Sequence, residues 1–132
     1  MISTKIRNKP ATAGKTDAAG FAIDAARIAA DTRCTNVVVL DVRGLSPVTD
    51  FFVLGTGTSA RQMRTVAEEV EEHGRPLGQR PLSRSLDDHW ILLDYVDVVV
   101  HLFSDDARMF YDLESLWGEA KRVTWRPESV KA

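Results

Sequence analysis

The chain is poor in several things a sequence reader looks for first. It has one cysteine, Cys34, so neither a disulfide framework nor a cysteine zinc site can be assembled. A reducing, intracellular compartment is the default for such a chain. Asp94 and Asp97 interrupt the longest apolar stretch, which falls well short of the roughly 20 residues a membrane helix needs. Residues 1–16 contain no acid at all, and residues 86–119 contain one base, Arg108. These two shortages hide inside a net charge of only −2.

What is present is correspondingly lopsided. Lys5, Arg7, Lys9 and Lys15 give residues 1–16 a balance of +4, while nine Asp and Glu give residues 86–119 a balance of −8. The acidic block repels naked nucleic acid and attracts a basic protein surface. The first sixteen residues have no apolar periodicity and read as a disordered basic arm. Their hydroxyl-rich composition also suits an organelle transit peptide, though without the apolar face of one. A length of 132 residues bounds the chain to one domain, drawn over 17–118, with a basic tail over 119–132.

Within that domain Asp17 is placed to cap a helix carrying Phe21, Ala25, Ile28 and Ala29 at helical spacing. NVVVLDVR (36–43) and DFFVLGT (50–56) read as strands. SARQMRTVAEEVEEHG (59–74) reads as a helix with a Ser59–Gln62 capping box, an apolar stripe of Met63, Val66, Ala67 and Val70, and a stop at Gly74. The turn-rich residues 75–89 have room for one short edge strand. WILLD (90–94) and DVVVHLF (97–103) form a hairpin through Tyr95–Val96. Ser104 caps a last helix with a buried stripe of Phe110, Leu113, Leu116 and Trp117, and Arg108 pairs with Asp112 across one turn. The order αββα(β)ββα defines an α/β (α+β mixed) domain, a mixed sheet covered by helices.

No catalytic constellation completes itself. GTGTSA (55–60) matches the G-x-G-x-x-A form of a dinucleotide loop, but no acidic residue ends a following strand to meet a ribose. Asp41, Asp50, Asp94 and Asp97 lie on or beside strands, yet no D-x-D pair sets two carboxylates on one strand face for Mg²⁺. His101 lies between Val99 and Phe103 on one face of an apolar strand and reads as a packed, hydrogen-bonded residue. The expectation is a protein that is not an enzyme and carries no cofactor or metal.

Three blocks carry a resemblance: TDFFVLGTGTSARQ (49–62), WILLDYVDVVVHLF (90–103) and RMFYDLESLW (108–117). Together they resemble the Iojap-like ribosomal silencing factors over about residues 17–118. The chain departs from that pattern at Val96, where the family has Gly, and at Ser83-Arg84, near the family's Glu-Gly. Because a β-branched residue resists φ > 0, a longer or reshaped turn is expected at Val96. The resemblance implies a nucleotidyltransferase-like fold without that catalysis. It also implies binding to the large ribosomal subunit at ribosomal protein fourteen, blocking small-subunit joining and repressing translation. On that basis Asp94, Asp97 and Glu114 are expected to form an acidic groove. Trp90, Tyr95, Tyr111 and Trp117 serve as apolar anchors, and Arg108 orients the acids or reaches the partner. A cytoplasmic location, and a homodimer through exposed strand edges, complete the expectation. The alternatives are a nucleotide-binding enzyme using GTGTSA and a dimeric scaffold.

Overall fold

The structure, a computed structural model, describes residues 17–126. The basic arm expected over 1–16 and the end of the tail, 127–132, lie outside the described residues. The elements run α1 (Ala18–Asp31), β1 (Thr35–Asp41), β2 (Phe51–Thr56), α2 (Ala60–Gly74), a single 3₁₀ turn (Arg75–Leu77), β3 (Ser83–Leu86), β4 (Trp90–Asp94), β5 (Val98–Phe103), α3 (Asp105–Tyr111), α4 (Leu113–Leu116) and β6 (Lys121–Arg122). The strands form one mixed sheet in the order β3-β4-β5-β2-β1-β6. Only β2 and β5 are parallel, and α2 lies in the connection between them.

Alternation along each strand divides the sheet into two unlike faces. Val39, Phe51, Val53, Ile91, Leu93, Val98, Val100 and Leu102 point to one face and join α1 and α2 in the main core. On that side α1 presents Phe21 with Ala22, Ala25, Ala26 and Ala29, all without solvent exposure. The alanines let the helix axis sit close to the sheet, and burying Phe21 adds roughly 2–3 kcal/mol. A large residue at Ala25 would overpack this contact at a cost of roughly 1–3 kcal/mol. The opposite face carries Leu40, Leu54, Phe103 and His101, and has only α3, α4 and the segment after them for cover.

Helix ends show where local chemistry decides. Asp17 occupies the N-cap of α1 but its side chain makes no cap bond. Ser59 Oγ does accept from the Gln62 N–H at 3.0 Å, while Gln62 Oε1 accepts from Thr58 N–H rather than closing the box on Ser59. The same Gln62 amide donates to the Thr32 carbonyl at 2.7 Å and so ties the end of α1 to the start of α2. Gly74 is not the left-handed stop expected of it, for its φ is −76° and the chain runs on to a left-handed Gly78 at +79°. Gly74 is needed for closeness instead: a Cβ there would lie 2.9 Å from the Gln79 carbonyl oxygen and 3.1 Å from Phe21.

Three further expectations are corrected. The β4–β5 turn is centred one residue later than drawn, with Tyr95 N–H donating to Val98 O, so Asp94 pairs with Val99 and Trp90 with Phe103. Val96 itself adopts φ +75°, held by its N–H to Asp94 Oδ1 at 2.8 Å. The last helix breaks at Asp112, which sits at φ +47° and separates α3 from α4. Its Phe110 and Leu116 are therefore 79% and 71% exposed rather than buried, while Leu113 and Trp117 pack on the sheet. Finally, residues after Gly118 join the fold. β6 pairs with β1, Val123 N–H donates to Val39 O, and the Trp125 indole donates to Val37 O at 3.1 Å.

Candidate functional site

The eight residues singled out above do not form one surface. Tyr95 is 6% exposed and stacks edge-on against Phe21 at 4.7 Å, on the α1 side of the sheet. Its hydroxyl is buried without a hydrogen-bond partner among the described residues, and burial pushes its pKa up. It is core, not an anchor. Asp94 and Glu114 also part company. Asp94 sits at the hairpin end, opposite Val99, which itself pairs with Phe52. Glu114 is reached through Arg108 from Thr56, four residues and about 13 Å further along β2. No single groove holds both carboxylates.

Arg108 is a strut. It does not pair with Asp112; its guanidinium reaches Glu114 at 3.1 Å, Thr56 Oγ1 at 2.9 Å and the Asn36 carbonyl at 2.6 Å. Asn36 is itself left-handed, at φ +50°, where β1 carries an irregularity between Thr35 and Val38. With 12% of its side chain exposed, Arg108 locks α3 and α4 onto the ends of β1 and β2. Arg122 also reaches Glu114, at 3.5 Å, so that carboxylate is already matched by two cations. Asp112 instead accepts from the Ser115 hydroxyl at 2.7 Å, which braces the left-handed break.

What the fold does bring together is aromatic. Ring contacts run without interruption from Phe110 to Tyr111 (4.9 Å), Tyr111 to Trp90 (4.5 Å), Trp90 to His101 (5.8 Å), His101 to Phe52 (5.3 Å) and Phe52 to Trp117 (5.5 Å). The tract starts in solvent, since Phe110 is 79% and Tyr111 50% exposed, and ends on the less covered face of the sheet. Beside it opens a groove of about 450 Å³ floored by Trp90, Leu92, Ala107 and Tyr111 and edged by Asp87. Met109, 78% exposed, extends the apolar ridge on α3. An exposed apolar ridge with an acidic margin is what a protein-docking surface requires.

Sequence reasoning missed Phe110 as a surface residue because an unbroken helix buries it. Asp112 was the available signal, for Asp is among the few residues that tolerate the left-handed region. His101 lies under the tract, 5% exposed. Its Nδ1 accepts from the Trp90 indole N–H at 3.0 Å, so the ring proton resides on Nε2. Burial lowers its pKa to about 4, and the Trp90 bond, which only the neutral ring can accept, acts in the same direction.

A second hollow, about 610 Å³, opens at the carboxyl ends of β2 and β5 against the GTGTSA turn. That is where open α/β sheets place ligands. Here a phosphate would meet the carboxylates of Asp88, Asp105 and Asp106. Gly57 serves packing, since a Cβ would fall 2.1 Å from Met63 Cγ. Among the described residues no cluster of three or more His, Cys, Asp or Glu side chains is placed to hold a metal ion. No helix among them is long and apolar enough to cross a membrane.

The architecture is a mixed α/β domain with an exposed aromatic tract on one face of its sheet. Residues 15–132 match the family model described as ribosomal silencing factor during starvation, and the chain belongs to that family. It is 38% identical over 92 residues to the ribosomal silencing factor RsfS of Bacillus subtilis, covering 68% of this chain and 78% of that one. It is 33% identical over 108 residues to the chloroplastic protein Iojap of Zea mays, covering 78% of this chain and 46% of that one. A crystal structure of a Chromobacterium violaceum protein superposes with a TM-score of 0.68 at 27% identity, covering 86% of this chain and 93% of that one. These curated relatives are named for silencing or as Iojap, not for catalysis.

Proposed function

We propose that this chain represses translation by binding the large ribosomal subunit at ribosomal protein fourteen and sterically preventing the small subunit from joining. Family membership supports the ribosomal role. The observation that carries the docking surface is the exposed start of the aromatic tract, Phe110 and Tyr111, rising from a helix that breaks at Asp112. Trp90 on β4 and Trp117 at the end of α4 support it, and Asp94 and Asp87 supply the negative margin for a basic partner. Tyr95 and Arg108 act through the fold rather than by contact.

Co-sedimentation with isolated large subunits, followed by addition of small subunits, tests this. Binding to large subunits and fewer joined ribosomes are expected. Phe110→Ala is the sharpest variant, because a side chain 79% exposed leaves folding stability nearly unchanged while an interface anchor costs roughly 2–4 kcal/mol of binding. A folded wild type that ignores large subunits at low salt refutes the reading. Unimpaired binding by Phe110→Ala moves the interface elsewhere.

A further inference from the structure

We infer that His101, buried beneath the docking tract, is a positioning residue that fixes the Trp90 indole, and through it Tyr111, in the orientation the ribosomal partner meets. The inference rests on the large-subunit reading above and deepens it. Trp90 is held by ring packing and by one directional contact. Its rings meet Tyr111 at 4.5 Å and Phe103 at 5.2 Å, and its indole N–H donates to His101 Nδ1 at 3.0 Å. Ring packing tolerates rotation about the side-chain torsions; the hydrogen bond selects one orientation, and without it the ledge shared with Tyr111 loses its shape.

The histidine is a costly way to fill this position unless the acceptor matters. With Nδ1 occupied by Trp90, the proton lies on Nε2, which is fully buried and has no hydrogen-bond partner among the described residues. An unsatisfied buried donor is destabilising. A phenylalanine would pack between Phe52, Trp90 and Phe103, which already surround the ring, without that cost. What the imidazole supplies and a phenyl cannot is the lone pair facing Trp90. The geometry therefore spends stability on an oriented indole at the edge of the docking groove, where Trp90 is only half-buried.

The test uses the full chain as wild type, His101→Phe, His101→Asn and Trp90→Phe. Asn presents an acceptor near the position of Nδ1, and Trp90→Phe keeps a ring while deleting the donor. Two readouts are taken: affinity for isolated large subunits, and the indole N–H resonance of Trp90, identified by its loss in Trp90→Phe. The expected result is a fivefold to tenfold weaker affinity, roughly one hydrogen bond's worth, for His101→Phe and for Trp90→Phe. The indole resonance should move in His101→Phe and return toward its wild-type position, with affinity, in His101→Asn. Should His101→Phe not fold, Trp90→Phe and His101→Asn carry the comparison. Wild-type binding that His101→Phe and Trp90→Phe both preserve within twofold overturns the inference and leaves the ribosomal reading intact. A wild type that does not bind large subunits overturns both.

Discussion

Mild acid should weaken this fold through His101, and the size of the effect follows from where that residue lies. His101 has an ordinary pKa of 6.5 and is lowered to about 4 by burial. The sign follows from proton binding. Between those two values the unfolded chain takes up a proton that the folded chain refuses, so stability falls as pH drops through that window. The whole interval is worth about 3 kcal/mol, and the part between pH 7 and pH 5 about 2 kcal/mol. Urea unfolding of wild type and His101→Phe at both pH values measures it. At pH 7 the variant should lie within about 1–2 kcal/mol of wild type, because it loses the acceptor for the Trp90 N–H but also sheds the unpaired Nε2 donor. From pH 7 to pH 5 the variant should gain about 2 kcal/mol relative to wild type, because only the wild type loses stability to this proton. Asp41, held below the usual carboxylate range by its hydrogen bond to Arg43, weakens the fold in acid too. Its window lies below pH 3.8, outside the comparison. Equal losses in both proteins from pH 7 to pH 5 would refute the buried neutral histidine.

Val96→Gly should leave stability within about 1 kcal/mol of wild type or raise it, because relief of a left-handed β-branched residue offsets the entropy of glycine. Val96→Pro, which removes the N–H bound to Asp94 and cannot reach φ +75°, should cost about 3 kcal/mol or more in the same urea titration; a mild effect would mean the turn is not held as described. Gly57→Ala should cost about 1–3 kcal/mol, since its Cβ would fall 2.1 Å from the buried Met63 side chain; an unchanged midpoint would show Met63 repacking freely. Arg108→Ala should lower thermal stability by about 2–3 kcal/mol as Thr56, Asn36 and Glu114 lose their shared partner, and weakened ribosome binding without loss of stability would make it a contact residue instead.

How far the sequence could be read depends on how local each determinant is. The strands and α2 were legible because β-branched runs, Ser59 and the Met63–Val70 stripe act within a few residues of themselves. The short edge strand β3 was legible as a turn-rich gap that could hold only a little structure. The break at Asp112 was not, because helical spacing alone counts Phe110, Leu113, Leu116 and Trp117 as one stripe. The deciding facts are distant: Arg108 finds Thr56 and Asn36, and Asp112 is braced by Ser115. The β4–β5 register failed for a related reason. A valine at φ +75° is a choice that local sterics oppose, and it is held by the hydrogen bond from Val96 N–H to Asp94 and by the strand pairing around it. For the site, charge counting grouped residues that the fold keeps apart. It grouped Asp94 with Glu114, which lie toward opposite ends of the sheet, and it ranked Tyr95 with rings on the other face.

The two faces of the sheet explain why the exposed aromatic tract was the harder part. On the α1 and α2 side small alanines allow close approach, the stripe is continuous, and the buried residues exclude solvent almost completely, with the buried Tyr95 hydroxyl an exception to good pairing among the described residues. On the other side a short helix broken at Asp112 leaves Phe110, Met109 and Leu116 in water, beside a histidine whose buried Nε2 has no partner among the described residues. Each of those features costs stability and none improves packing within the chain. Local rules and the fold therefore disagree repeatedly around the aromatic tract and its groove. A partner that covers Phe110 and Tyr111 would recover what the isolated chain forgoes.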